Sequence, residues 1–192
     1  LSEQEIFDAF FGSGQHDVDD ESRLLVPEGM TARAYAASIM RTQLSAVTGE
    51  DYSEAGDAEF TDSLMYNVAP AMSFWGGFYQ NTIYRFRPNG LDPETSIMDI
   101  VILRPVPKDG PRPQPVPTMH LDFDEPVTLA GETMGEGLAV VFEQDAINLP
   151  WVQKGLRASR TGTVEFTNYQ EQRLRLHHRL IDRLIAEGES AQ

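Results

Sequence analysis

The segment FEQDAINLPWVQKGLRAS places one carboxylate within an apolar series. Four apolar residues follow the three-and-four spacing of a single helix face: Phe142, Leu149, Val152 and Leu156. Asp145 occupies the remaining position of that series. A carboxylate on a buried face needs a cation, a metal ion or several hydrogen bonds, because burying it unpaired is costly. Asp145 is therefore a candidate for such a site.

A second interpretation of the same segment needs no functional site. Pro150 could break the helical pattern, since proline lacks the N–H that a helix interior uses. The helix would then begin near Leu149 with Asn148 as its N-cap, and Asp145 would lie in a solvated turn before it. Spacing alone leaves both interpretations open.

Histidine, another common metal ligand, occurs four times: His16, His120, His177 and His178. His16 stands alone in an acidic segment, and His120 follows a proline-rich stretch, where a surface or structural role is expected. His177 and His178 are neighbours that point about 100° apart on a helix, so they are poorly placed to bind one metal together. Asp122 and Asp124 in HLDFDEP alternate across a strand-like segment and make a poor cation cage.

Aromatic residues cluster in a region that has the pattern of strands. Four of them could line a hydrophobic pocket for an aromatic substrate: Phe74, Trp75, Phe78 and Tyr84. Asn67 could add a polar contact beside that pocket. The alternative is that these side chains form ordinary core, as aromatic residues in strands commonly do.

The elements that must position these residues are predicted from periodicity. Apolar spacing predicts helices over residues 2–11, 31–47, 138–158 and 167–187, the first with a Ser2–Glu5 capping box. Strand patterns occur in SLMYNVAP, SFWGGF, YQNTIYRFRP and SIMDIVILRPV, with NGLDPET as a medium-length hairpin loop. Residues 48–62, the acidic DVDDES and the proline-rich PVPKDGPRPQPVPT are expected to be loops. This order predicts an α+β fold in a single domain, residues 1–192.

The composition excludes several classes of protein. The chain has 192 residues, no cysteine and a net charge of −15, and residues 1–62 carry fourteen Asp and Glu against three Arg. Phosphate repulsion argues against nucleic acid, and no apolar run reaches the length of a membrane span. We expect a cytoplasmic protein. The cluster Arg173, Arg175, Arg179 and Arg183 is either a solvated helix face or a complement to the acidic first third.

Two segments together carry a resemblance to a known family. They are VAPAMSFWGGFYQNTIYRFRPNGLDPETSIMDIVILRPVP and FEQDAINLPWVQKGLRAS. They resemble the C-terminal catalytic domain of the Rieske non-heme iron oxygenases, the large (α) subunits of aromatic-ring-hydroxylating dioxygenases. The likeness runs from about residue 60 to residue 180, and its most distinctive parts are the YRFRPNGLDP hairpin and the helix that contains Asp145.

The resemblance implies a fold, a site and partners. The fold would be of the helix-grip type, an antiparallel sheet closed by a long helix. Asp145 would be the carboxylate of a two-histidine, one-carboxylate site for mononuclear Fe(II), where O₂ is activated to hydroxylate an aromatic or other apolar substrate. Electrons would come from a ferredoxin or reductase through a Rieske 2Fe-2S cluster. The family also implies a homo-oligomer, a trimer, in some cases with a small β subunit.

The chain departs from the family pattern in its ligands. No two histidines have the family's acidic-x-x-His-x-x-x-x-His spacing, and without cysteine the chain cannot ligate a Rieske cluster. We therefore expect a fragment, with the Rieske domain and the histidine helix upstream of Leu1, that does not hold iron alone. Two alternatives remain: a non-catalytic helix-grip module for a hydrophobic ligand, and an assembly subunit that docks through its acidic first third.

Overall fold

A computed structural model describes residues 1–11, 24–79 and 81–190. Residues 1–67 with 72–114 form one compact unit, and residues 68–71 with 115–192 form a second. Each unit is described separately. The described residues contain both helices and a four-stranded antiparallel sheet, which confirms the α+β class.

The first unit begins with two helices that pack together, α1 (Glu3–Phe11) and α2 (Ala32–Thr48). The predicted capping box is present: the Ser2 N–H donates to Glu5 Oε2 at 2.7 Å, and the Glu5 N–H donates to Ser2 Oγ at 3.2 Å. Thr31 caps α2 by accepting from the Ala34 N–H. These local bonds satisfy helix N–H groups that have no partner inside the helix.

The predicted buried face of α2 is partly wrong. Its buried side chains are mainly small: Ala32, Ala36, Ala37, Met40, Leu44 and Thr48. Val47, expected on that face, is exposed. The alanines let α1 and the segment after α2 approach closely, so that Phe7 packs beside Ala32 and Ala36.

The prediction of a loop over residues 48–62 is also wrong in part, because α3 (Asp57–Thr61) lies within it. Phe60 in α3 is 1% exposed and packs with Ala37, Met40 and Leu44. The Glu59 carboxylate accepts from the Gly56 N–H at 2.7 Å at the helix start. A single buried aromatic residue thus anchors a short helix in a polar stretch.

The sheet is a meander of four sequential strands, as the sequence predicts: β1 (Leu64–Val68), β2 (Met72–Gly76), β3 (Thr82–Asn89) and β4 (Asp92–Ile102). Ser73 lies opposite Tyr84, and Tyr84 lies opposite Ile100. The β3–β4 turn is tighter than predicted, because only Gly90 and Leu91 separate the strands. Gly90 has φ +65°, which glycine adopts without strain.

The second unit contains a 3-10 turn (Val127–Ala130), α4 (Gly131–Met134), α5 (Glu136–Ala158) and α6 (Gln172–Ser190). The Glu143 carboxylate accepts from the backbone N–H groups of Val127 and Thr128, which fastens the 3-10 turn to α5. Ala139 and Phe142 are the buried residues of α5. In contrast, no residue of α6 is buried.

The remaining expectations concern loops. Residues 103–126 contain no helix or strand, as the prolines predict. The acidic segment DVDDES and His16 lie outside the described residues. Across the described residues, no helix is both long enough and apolar enough to cross a membrane.

Candidate functional site

Asp145 lies in the middle of α5, which continues without a break through Pro150. The alternative in which the helix begins near Leu149 is therefore wrong. Because proline has no N–H, the carbonyl of Ala146 lacks the donor that a helix normally provides four residues later. The Asp145 carboxylate is exposed and makes no hydrogen bond or ion pair with the residues that the structure describes.

The apolar series around Asp145 is mostly uncovered, so the prediction that it is buried is wrong beyond its first member. Phe142 is 7% exposed, whereas Leu149 is 59% exposed, and Val152 and Leu156 are exposed as well. A periodic pattern shows which residues share a face but does not provide the surface that covers them. We call these four apolar residues with Asp145 the front stripe of α5.

A second apolar stripe lies on the opposite side of α5. Val140, Ile147 and Trp151 are exposed there at helical spacing. The Lys154 Nζ lies 4.4 Å from the centroid of the Trp151 ring, a cation–π contact. A helix with apolar residues on opposite faces is typical of an element buried between two layers.

Three of the five predicted substrate contacts share one face of the sheet. Ser73 Oγ donates to Asn67 Oδ1 at 2.7 Å, and Trp75 Nε1 donates to Tyr84 Oη at 2.8 Å. Because Ser73 and Tyr84 are directly paired, the two hydrogen bonds are neighbours on that face. The structure thus brings Asn67, Trp75 and Tyr84 together.

The other two predicted contacts lie elsewhere. Phe74 lies on the opposite face of the sheet, where its ring stacks on Tyr66 with centroids 5.2 Å apart. Phe78 follows β2 and packs against Tyr52 and Phe60 of the helical core. Phe78 thus has a structural role in the first unit, one that the alternative of ordinary core anticipates.

Sequence reasoning missed the apolar side chains that continue the Trp75–Tyr84 face. Strand register adds four of them to that face: Phe86, Met98, Ile100 and Ile102. We call these four residues with Asn67, Ser73, Trp75 and Tyr84 the aromatic face. The alternation of Tyr84 and Phe86 against arginines was visible in the sequence, but the β4 partners depend on the hairpin register.

The opposite face carries a charged cluster. Arg85 Nε and Arg87 Nε donate to Asp99 Oδ2 at 2.8 and 2.9 Å. The hydrogen bonds from Arg87 and then Arg85 lower the pKa of Asp99 from 3.8 to about 2. The hydrogen bond to Asp99 also raises the pKa of Arg87. One face of the sheet is thus polar and ionic, whereas the other is apolar.

The residues present do not fit a complete mononuclear iron site. Among the described residues, no group of three His, Cys, Asp or Glu could hold a metal ion. The rings of His177 and His178 are 6.3 Å apart at 80° to each other, and both lie on α6. Asp145 therefore has no histidine ligands from the described part of the chain.

Comparison with known proteins identifies no relative. No family model matches the chain. Neither the curated proteins nor the solved structures contain a significant match to it. The function must therefore be argued from the residues themselves.

Proposed function

We propose that this chain is the catalytic-domain portion of a Rieske-type oxygenase α subunit. In the complete protein, O₂ and electrons from a ferredoxin or reductase would be used to hydroxylate an aromatic or other apolar substrate. The bound iron would supply the oxygen activation. In this proposal Asp145 is the carboxylate ligand, and the aromatic face is one wall of the substrate site.

The observation that carries the proposal is the position of Asp145 within the front stripe. Leu149, Val152 and Leu156 expose apolar surface that is unfavourable in water. Any layer that covers them also removes Asp145 from solvent. A carboxylate without a protein partner then requires a cation, and a metal ion held jointly with two histidines meets that requirement.

The aromatic face supports the substrate class. Trp75, Tyr84 and Phe86 offer rings and their edges to an apolar molecule, and aromatic side chains commonly line small-molecule sites. The polar groups of this face, Asn67 and Ser73, lie at one end of it, beside Tyr84. A helix-grip fold, in which a long helix closes an antiparallel sheet, would cover such a face, and we propose that architecture here.

The ligands that this chain lacks define the first test. The coding sequence upstream of Leu1 should specify a Cys-x-His and Cys-x-x-His cluster motif, followed by an acidic-x-x-His-x-x-x-x-His helix. A start codon immediately before Leu1 would contradict the proposal. It would favour the alternative of a metal-free helix-grip module, for which the aromatic face alone would suffice.

The second test uses the polypeptide that contains the upstream segment. Asp145→Asn keeps the side-chain size and removes the charge, so mononuclear iron content and substrate hydroxylation should both be lost while the Rieske spectrum is retained. Asp182→Asn is the matched control, because Asp182 is an exposed aspartate on α6 without a described partner. Full iron content and turnover in Asp145→Asn would exclude Asp145 as a ligand.

A further inference from the structure

The last helix, α6, presents a basic and apolar surface that no described residue covers. Arg173, Leu176, Leu180 and Arg183 follow one another at steps of three and four, so they share one face. Arg179 borders that face one turn from Leu176 and Arg183. Leu176 is 59% exposed, and no residue of α6 is buried. We call these five residues the α6 face.

The arginines of the α6 face have little to do within the chain. Arg173 and Arg179 make no hydrogen bond or ion pair with the described residues. Arg183 has only a long contact, 3.8 Å, to Glu187 on the same helix. Arg175 differs, because it donates to the carbonyls of Thr167 and Asn168 and so belongs to the loop before α6.

An amphipathic helix of this kind needs a covering surface. Most of the stability of a helix in a protein comes from packing of its apolar side, and an isolated helix of this length is marginal in water. A covering surface for the α6 face must provide apolar contact together with negative charge, because three arginines surround two leucines.

The acidic first third of the chain offers such a surface. On α1, Ile6 and Phe10 are exposed apolar residues, and Glu5 is an exposed carboxylate. The segment from Leu24 is fastened to α1, because Gln4 donates to the Leu24 carbonyl and accepts from the Val26 N–H. It adds exposed Leu25 and Glu28. We call Glu5, Ile6, Phe10, Leu25 and Glu28 the N-terminal patch.

We propose that the α6 face of one copy of this chain docks on the N-terminal patch of a second copy. The charges are complementary: residues 1–62 carry a balance of −11, whereas residues 150–192 carry seven Lys and Arg against five Asp and Glu. Apolar residues lie among the charges on both surfaces. The two surfaces differ, so the contact is heterologous and generates a closed ring or an open chain of copies.

Complementary charge reversal tests this assembly with the chain as it exists. Variant X carries Arg173→Glu and Arg179→Glu, and variant Y carries Glu5→Arg and Glu28→Arg. Sedimentation in about 0.1 M NaCl, over about 1–100 μM protein, should show that the parent chain self-associates. X alone and Y alone should each bind at least about tenfold more weakly, because like charges then meet at the contact.

A mixture of X and Y should form a one-to-one complex. The intact α6 face of Y meets the intact N-terminal patch of X, whereas the second contact would pair two reversed surfaces that lack their apolar and ionic match. A contact within one chain could not be restored by mixing. Arg160→Glu, an exposed reversal outside the α6 face, should associate like the parent.

Three results would overturn the proposal: a monomeric parent chain, undiminished association of X and Y, or no complex on mixing. Glu5→Arg also removes the capping box, so the helix content of Y is checked by circular dichroism. If Y is unfolded, Glu28→Arg alone replaces it and must give the same complementation.

Discussion

The indole N–H of Trp75 donates to the phenolic oxygen of Tyr84 at 2.8 Å, and this bond joins two neighbouring strands across the aromatic face. The two residues lie one pair apart along the β2–β3 ladder, since Tyr84 is opposite Ser73. A side-chain bond between strands adds to the ladder and limits the rotation of both rings.

Tyr84→Phe should therefore destabilise the chain by about 0.5–1.5 kcal/mol, because the indole N–H loses its acceptor while the ring remains. Urea unfolding followed by tryptophan emission measures the change. Tyr66→Phe is the control, since the Tyr66 hydroxyl bonds to no described residue, and it should have little effect. Equal stability of the two variants would show that the hydrogen bond contributes nothing.

Phe60 is expected to dominate the stability of the helical core. Phe60→Ala should cost about 3–5 kcal/mol in the free energy of unfolding, because it leaves a cavity beside Tyr52 and Phe78. Phe123→Ala, at a position that is 87% exposed, should change stability by less than about 0.5 kcal/mol. A small loss for Phe60→Ala would mean that α3 does not pack as described.

Gly76 is expected to be required by Tyr66. A Cβ at position 76 would lie 2.6 Å from Cε2 of Tyr66, so Gly76→Ala forces the ring to move. The expected cost is about 1–3 kcal/mol, as for other overpacked sites. In a Tyr66→Ala background the same substitution should be nearly neutral. A double-mutant cycle measures this coupling, and strictly additive effects would contradict it.

The Arg85–Asp99–Arg87 cluster predicts a pH dependence. The pKa of Asp99 is lowered to about 2 in the folded chain, below its ordinary value of 3.8. The cluster therefore stabilises the folded state above about pH 4, and its contribution is lost as pH falls toward 2. Asp99→Asn should lower the melting temperature at pH 7, and its difference from the parent should vanish near pH 2.

Asp109→Asn serves as the comparison for that measurement. Asp109 is exposed in the proline-rich segment and pairs with no described residue, so its replacement should leave the melting temperature unchanged at both pH values. A pH-independent loss in Asp99→Asn would assign the effect to packing, since only an ionised Asp99 attracts the two arginines.

The features that the sequence predicts well are those with local causes. The Ser2–Glu5 capping box, the four strands and the irregular proline-rich segment depend on residues within a few positions of one another. The helix α3 was missed because Phe60 becomes buried only through contacts with α2 and Phe78, which are distant in sequence. The β3–β4 turn was misjudged because Asp92 and Pro93 resemble turn residues yet begin a strand.

The candidate site shows the same division. Periodicity correctly placed Asp145 in register with Phe142, Leu149 and Val152 on one helix face. It could not show what covers that face, because burial depends on a second surface that the pattern does not contain. Likewise, the aromatic residues were recognised by type, but only the strand register separates Trp75 and Tyr84 from Phe74.

The order of the strands has a consequence for synthesis on the ribosome. Each strand of the meander pairs with the one made just before it, so no long loop must close before the sheet forms. The sheet can therefore assemble while α5 and α6 are still being translated. During that interval the aromatic face meets only water or a chaperone, and slow translation after Ile102 would lengthen its exposure to other nascent chains.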